Sequence, residues 1–232
     1  MNEKDVFCFI PAKAASQRLK NKNILPLNGK PLMHYAIEAA IKSELFDDQV
    51  FLSTEDEYFA TIGTDAGALI KGLRPKKLAF DPYGIKDVLH DFLINNTLNS
   101  NFQNVVVISP TCPLLSSNDI VNAYNLFKEN KSNTLLSVSE MSYSAYRALT
   151  IENNKIVPLF EENIHKKSQE LDKTYRVNGA LIILNIDYFK KTKSFFSHPV
   201  STFIMPRDRS VDIDTIDDFN FADFLLKSNR SL

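Results

Sequence analysis

The chain opens on an unbroken apolar run, Val6–Ile10, closed by Pro11. A run this short with no polar interruption predicts a strand buried on both faces. Val50–Ser53, Val105–Ile108, Thr134–Val138 and Ala180–Asn185 repeat the pattern, and Ala68–Leu73, stopped by Arg74-Pro75, reads as a further strand. Between these runs the apolar positions change to a spacing of three and four. Leu32, Tyr35, Ala36, Ala39 and Ala40 mark a helix over 31–43, with Pro31 suited to its first turn. Val88, Leu89, Phe92 and Leu93 mark another over 86–98, and helices are also expected over 55–66 and Ile216–Lys227. Ser117 or Asn118 can cap one more, running to about Asn130.

Strands alternating with helices in this rhythm predict an α/β fold: a mainly parallel sheet with helices on both faces. After Ser139 the rhythm breaks. Asn153-Asn154, set between Leu149–Ile151 and Ile156–Leu159, has the form of a hairpin turn, so a small β-rich insertion is expected over about 140–175. The stretch 161–174 is polar enough for a loop. One domain is the natural count for 232 residues.

Composition narrows the function classes. A formal net charge of -1 supplies no overall field toward nucleic acid or anionic membrane, so neither is an expected partner. The N-terminal apolar run is too short for a signal peptide and no later stretch reaches spanning length, so the expected location is cytoplasmic. Cys8 and Cys112 form no CxxC pair and read as buried thiols of a reducing compartment. The four histidines, His34, His90, His165 and His198, have neither triad nor ligand spacing.

In open α/β sheets ligands bind beyond the carboxyl ends of the strands. The loop after the first strand, 11–23, carries Lys13, Arg18, Lys20 and Lys22 beside small residues at 14–16. Small residues admit phosphate oxygens to backbone N–H groups and the cations neutralise them; a solvated basic loop has the same composition. No GxxxxGK[ST] and no GxGxxG is present, which disfavours a P-loop enzyme or a dinucleotide oxidoreductase. Near the other end, Asp212 and Asp214 flank Ile213, so on an extended chain both carboxylates face one side. Such a pair suits a hard cation such as Mg²⁺; an Asp-rich loop capping the following helix is the alternative.

These segments together resemble the CMP-sialic acid synthetases (acylneuraminate cytidylyltransferases). IPAKAASQRLKNKN is similar to that family's IPARxGSKxxxxKN, VFLSTED to its Ser-Thr-Asp turn, and RPKKLAFD to RPxxLAxD. ISPTCPLL resembles QPTSPLR, RVNGAL resembles RPNGAIY, and SVDIDTIDDF resembles the family's acidic segment. The departures are Lys13 for arginine, Gln17 for lysine, Ser109 for glutamine, Leu115 for arginine and Ser168 for a further cation.

The resemblance implies a Rossmann-like nucleotidyltransferase whose dimerisation insertion occupies about 140–175 and 186–205. It implies Mg²⁺ on Asp212 and Asp214, with Lys22 joining them in catalysis, and CTP held by Lys13, Ala14, Ser16, Arg18, Asn23, Arg74 and Tyr83. The acidic sugar would meet Ser109, Arg147, Asn178 and Gly179, with Phe195 and Phe196 offered across a homodimer interface. The implied reaction transfers CMP from CTP to the anomeric hydroxyl of a sialic-acid-like nonulosonic acid, releasing pyrophosphate. Three alternatives stay open: an eight-carbon keto-sugar acid, a phosphonate, or a nucleotide-binding module that has lost catalysis.

Overall fold

The structure, a computed structural model, describes residues 5–228. Its strands are β1 (Val6–Pro11), β2 (Pro26–Leu27), β3 (Lys30–Pro31), β4 (Val50–Ser53), β5 (Asn104–Ile108), β6 (Thr134–Glu140), β7 (Leu149–Glu152), β8 (Lys155–Pro158), β9 (Tyr175–Asn185) and β10 (Val200–Ile204). Its α-helices are α1 (Leu32–Lys42), α2 (Glu57–Asp65), α3 (Ile85–Asn95), α4 (Ser117–Glu129), α5 (Ile186–Thr192) and α6 (Ile216–Lys227).

Six strands form the main sheet in the order β10-β6-β9-β5-β1-β4. β1 pairs in parallel with β4 and β5, and β10 with β6; β9 pairs antiparallel with both β5 and β6. Five strands therefore share one direction and β9 alone runs against them. Alternation along β1 shows how the sheet divides the core. Val6, Cys8 and Ile10 face α1 and α4 (Met33, Ala36, Ile37, Ile120, Ala123), whereas Phe7 and Phe9 face α3 and α5 (Leu89, Phe92, Phe189). Phe7 and Phe9 are wholly buried, each contributing roughly 1.5–3 kcal/mol of transfer free energy. A third cluster seats α6 on Leu27, Leu32, Leu114, Val211 and Ile213.

Three features differ from the sequence reading. Ala68–Leu73 is not a strand: Leu69 alone bridges to Phe51, exchanging bonds with Val50 and Leu52, between the positive-φ glycines Gly67 and Gly72. Those glycines bend the segment onto and off the sheet edge within a few residues. The cap of α4 is Ser116, whose hydroxyl accepts from Asp119 N while Asp119 returns to Ser116 N, a reciprocal capping box one residue earlier than expected. β9 begins at Tyr175 and is bulged: its pairing with β6 jumps from Leu136↔Ile182 to Val138↔Val177.

The hairpin at Asn153-Asn154 is present as the separate two-stranded sheet β7–β8, with both asparagines at positive φ as a two-residue loop requires. The stretch 186–205, assigned from the sequence to the same insertion, instead contributes α5 to the core and β10 to the main sheet. Among the described residues, no helix is long and apolar enough to cross a membrane.

Candidate active site

The parallel strands β1, β4 and β5 end at one edge of the sheet, where a cleft of about 450 Å³ opens. It is walled by the loop after β1, the 74–88 segment and the turn after β5, with Asp214 at one side. This is where an open α/β sheet places its ligands.

The loop after β1 is fastened at three points. Ala14 and Ala15 donate their N–H groups to Glu55 Oε1 at 2.7 and 3.2 Å. Asn23, buried in a short 3-10 turn, donates to the Lys13 carbonyl at 2.9 Å. Lys22 reaches across to the Ile213 carbonyl and to Asp214 Oδ1 at 2.8 Å, and Arg18 pairs with Asp214 Oδ2 at 3.0 Å. The amides of Ala14 and Ala15 thus serve Glu55 rather than the cleft. Of this loop's polar side chains, Lys13, Ser16, Arg18 and Lys22 line the cleft. Ser16 Oγ and Asn23 Oδ1 are buried with no protein partner, which leaves polar capacity for a ligand at the loop.

The acidic segment is shaped by alternation. Val211 and Ile213 are buried in the third cluster, which turns Asp212 and Asp214 the other way, both part-exposed. Ile213 N donates to the Thr111 carbonyl at 2.9 Å, and the Thr111 hydroxyl donates to Asp212 Oδ1 at 2.5 Å. Burial, with the Asp214 charge added, raises the Asp212 carboxyl above its ordinary range, against the pull of Thr111 and Lys22. No third His, Cys, Asp or Glu completes a metal-holding group among the described residues. Two neighbouring carboxylates, one of them raised by its surroundings, still fit Mg²⁺, which ordinarily takes few protein ligands and fills its shell with water and phosphate oxygens.

Arg74 lines the cleft from a buried position, donating to the Ser53 carbonyl at 3.2 Å and to Glu55 Oε2 at 2.8 Å; its Nε has no partner. Tyr83 lines the same wall. Ser109 also lines the cleft, its hydroxyl 2.7 Å from that of Thr111. Gly179, at φ +75 in the β9 bulge, lies close enough to the acidic pair that an added Cβ would stand 3.6 Å from Asp212 Oδ2.

Other expected sugar contacts are placed elsewhere. Asn178 is 2% exposed and tied to Ser137 and Ser210, so it braces the bulge. Arg147 is exposed outside the cleft and spends its guanidinium on the Lys166 carbonyl. Phe195 stacks on Phe189 at 5.8 Å within the chain's own core, while Phe196 is 64% exposed. Two residues escaped the sequence reading: Thr111, inside the PTCP motif, and Glu55, in the STED turn.

A carboxylate pair meeting a cationic loop over a cleft of this size is the equipment of a nucleotidyl transferase, and the comparisons agree. The profile of the family described as Cytidylyltransferase matches residues 7–200. The chain belongs to the cytidylyltransferase family. A pseudaminic acid cytidylyltransferase from Campylobacter jejuni is 34% identical over 96% of this chain and 97% of its own length. An N-acylneuraminate cytidylyltransferase from Streptococcus agalactiae is 33% identical over 91% of this chain but only 51% of that longer protein. In fold, the cytidylyltransferase superposes on a CMP:2-keto-3-deoxy-manno-octonic acid synthetase complexed with CTP, with a TM-score of 0.73 and 13% identity over 97% of this chain and 99% of that one.

Proposed function

We propose that this cytidylyltransferase joins CMP from CTP to the anomeric hydroxyl of a nine-carbon, sialic-acid-like keto-sugar acid. The observation that carries the reading is the meeting of Asp212 and Asp214 with Lys22 and Arg18 at the cleft edge. The similarity to relatives acting on pseudaminic and N-acylneuraminic acids supports the choice of sugar class. In the reaction the sugar hydroxyl oxygen bonds to the α-phosphorus and gives up its proton to water, the bond from the α-phosphorus to the bridging oxygen breaks, and pyrophosphate leaves.

Each residue then has a physical task. Lys13, Arg18 and Lys22 neutralise the triphosphate, and charge spreading onto the departing pyrophosphate strengthens those contacts in the transition state. Arg74, beside Tyr83, offers guanidinium donors to the acceptor edge of cytosine. Ser109 and Thr111 hold Asp212 in place, and Gly179 keeps its backbone near the acidic pair without a side chain in the way. Mg²⁺, held by Asp212 and Asp214, would neutralise phosphate charge and acidify the attacking hydroxyl. We also propose a homodimer in which Phe196 and the β7–β8 hairpin meet the second copy, and a cytoplasmic location, where CTP is made. The product is an activated sugar of the kind consumed in building surface polysaccharide.

Pyrophosphate release with CTP, measured across pseudaminic, N-acetylneuraminic, legionaminic and eight-carbon keto-sugar acids, tests the reading. Turnover with a nine-carbon acid is expected, with Asp212→Asn and Asp214→Asn each at least about a hundredfold slower at saturating Mg²⁺. Preference for the eight-carbon acid, or parent-like rates in both variants, would overturn it.

A further inference from the structure

We infer that Glu55 is a positioning residue that couples the triphosphate loop to the base wall of the cleft through Arg74; the inference rests on the cytidylyl-transfer reading above. Glu55 and Arg74 form a 2.8 Å ion pair with side chains only 7% and 5% exposed. A pair this dry is poor evidence of stabilisation, because desolvation offsets most of its attraction. Its geometry offers a different reason for its presence. The two oxygens of Glu55 serve different parts of the site: Oε1 accepts from the amides of Ala14 and Ala15, and Oε2 accepts from Arg74. Lys13 and Ser16, which flank those alanines, face the cleft from one side, and Arg74 faces it from another.

One rigid carboxylate therefore spans the loop that meets phosphate and the guanidinium that meets the base. Burial works against the Arg74 charge and Glu55 offsets part of that cost, while the Ser53 carbonyl takes a second guanidinium donor. Glutamine cannot substitute. It has one acceptor atom, so its NH₂ must face either the two loop amides or the guanidinium, donor against donor. Glu55→Gln thus breaks one arm of the bridge while preserving shape.

The experiment is equilibrium binding of CTP, UTP and CMP to the whole chain, without sugar, for the parent and Glu55→Gln. Two ratios are read: CTP over UTP, reporting the base wall, and CTP over CMP, reporting the triphosphate loop. Both are expected to fall by about tenfold in Glu55→Gln, the loss of one buried, charge-assisted arm. A folded Glu55→Gln with either ratio within about twofold of the parent overturns the coupling, since a bond that merely braces the fold would lower the melting temperature and leave the ratios alone. If Glu55→Gln does not fold, the apolar pair Glu55→Leu/Arg74→Met, which leaves the amides of Ala14 and Ala15 without an acceptor, takes its place. Loss of the CTP-over-CMP ratio there is expected, because Arg74 touches no phosphate; an unchanged ratio overturns the inference. A parent that binds no CTP would sink the cytidylyl-transfer reading itself, a result distinct from any change in the variants.

Discussion

At Asp212, beside the cleft, burial and the Asp214 charge both oppose the ionised form. A carboxyl whose folded pKa is raised favours the folded state while protonated, below the ordinary carboxylate range, and that contribution is lost as pH rises through the raised value. Asp212→Asn keeps an oxygen for the Thr111 hydroxyl and removes the charge. In metal-free buffer near neutrality the variant should therefore melt at or above the parent, with the difference closing as pH falls into the carboxylate range. A variant that melts well below the parent near neutrality would show that the Asp212 charge stabilises the fold. Asp212, Asp214 and Lys22 could be singled out in the sequence because their motifs are short and local, and the structure brings Lys22 to Asp214. Glu55 and Thr111 were not, because their defining partners, Ala14 and Asp212, lie 41 and 101 residues away. Arg147 shows the converse: the right residue type for a sugar carboxylate, spent on a backbone carbonyl.

Helix α2 packs on β4 through a glycine. A Cβ on Gly63 would lie 2.1 Å from Leu52 Cδ2, and Leu52 is itself 1% exposed with little freedom to yield. Gly63→Ala should cost about 1–3 kcal/mol in urea unfolding despite its better helix propensity. A stabilised variant would mean that α2 can lift off the sheet freely. Elements with clean periodicity were readable from the chain: β1, β4, β5, α1 and α3 stand within a residue or a few of their expected bounds. Ala68–Leu73 misled because an apolar run does not reveal that only one of its residues reaches the sheet. β10 was missed because Val200–Ile204 (VSTFI) is a partly exposed edge strand whose apolar run is broken by the adjacent hydroxyls Ser201 and Thr202. The β9 bulge depends on register with a strand far away in sequence, and no local pattern encodes it.

For the molecule as a whole, exposed apolar side chains are spread over the described surface, and the β7–β8 hairpin and Phe196 are two of the sites that carry them. Ile151, Ile156 and Leu159 on and beside the β7–β8 hairpin are 75%, 68% and 56% exposed, and Phe196 is 64% exposed. A two-stranded sheet with an apolar face is marginal in water without a partner. Light scattering at micromolar concentration should give twice the 26.4 kDa of one chain, and Ile151→Lys/Ile156→Lys should shift it toward a single chain. A parent that remains monomeric would remove the homodimer from the proposal. The α/β class and helices on both faces were visible in the alternation of runs; the reversal of β9 was not, because direction in a sheet is settled by partners rather than by composition. That reversed strand also sets the order in which the fold can close during synthesis. β6 has β9 and β10 as its neighbours, both later in the chain, so when residue 140 leaves the ribosome its strand has nothing to pair with. Of the main sheet, only β1, β4 and β5 can associate early. The sheet is joined across its middle when β9 emerges, and the carboxylates of Asp212 and Asp214 arrive after that. A ribosome-stalled nascent chain ending near residue 170 should be open to protease and unable to retain CTP, whereas one with the whole sequence outside the exit tunnel should be protected.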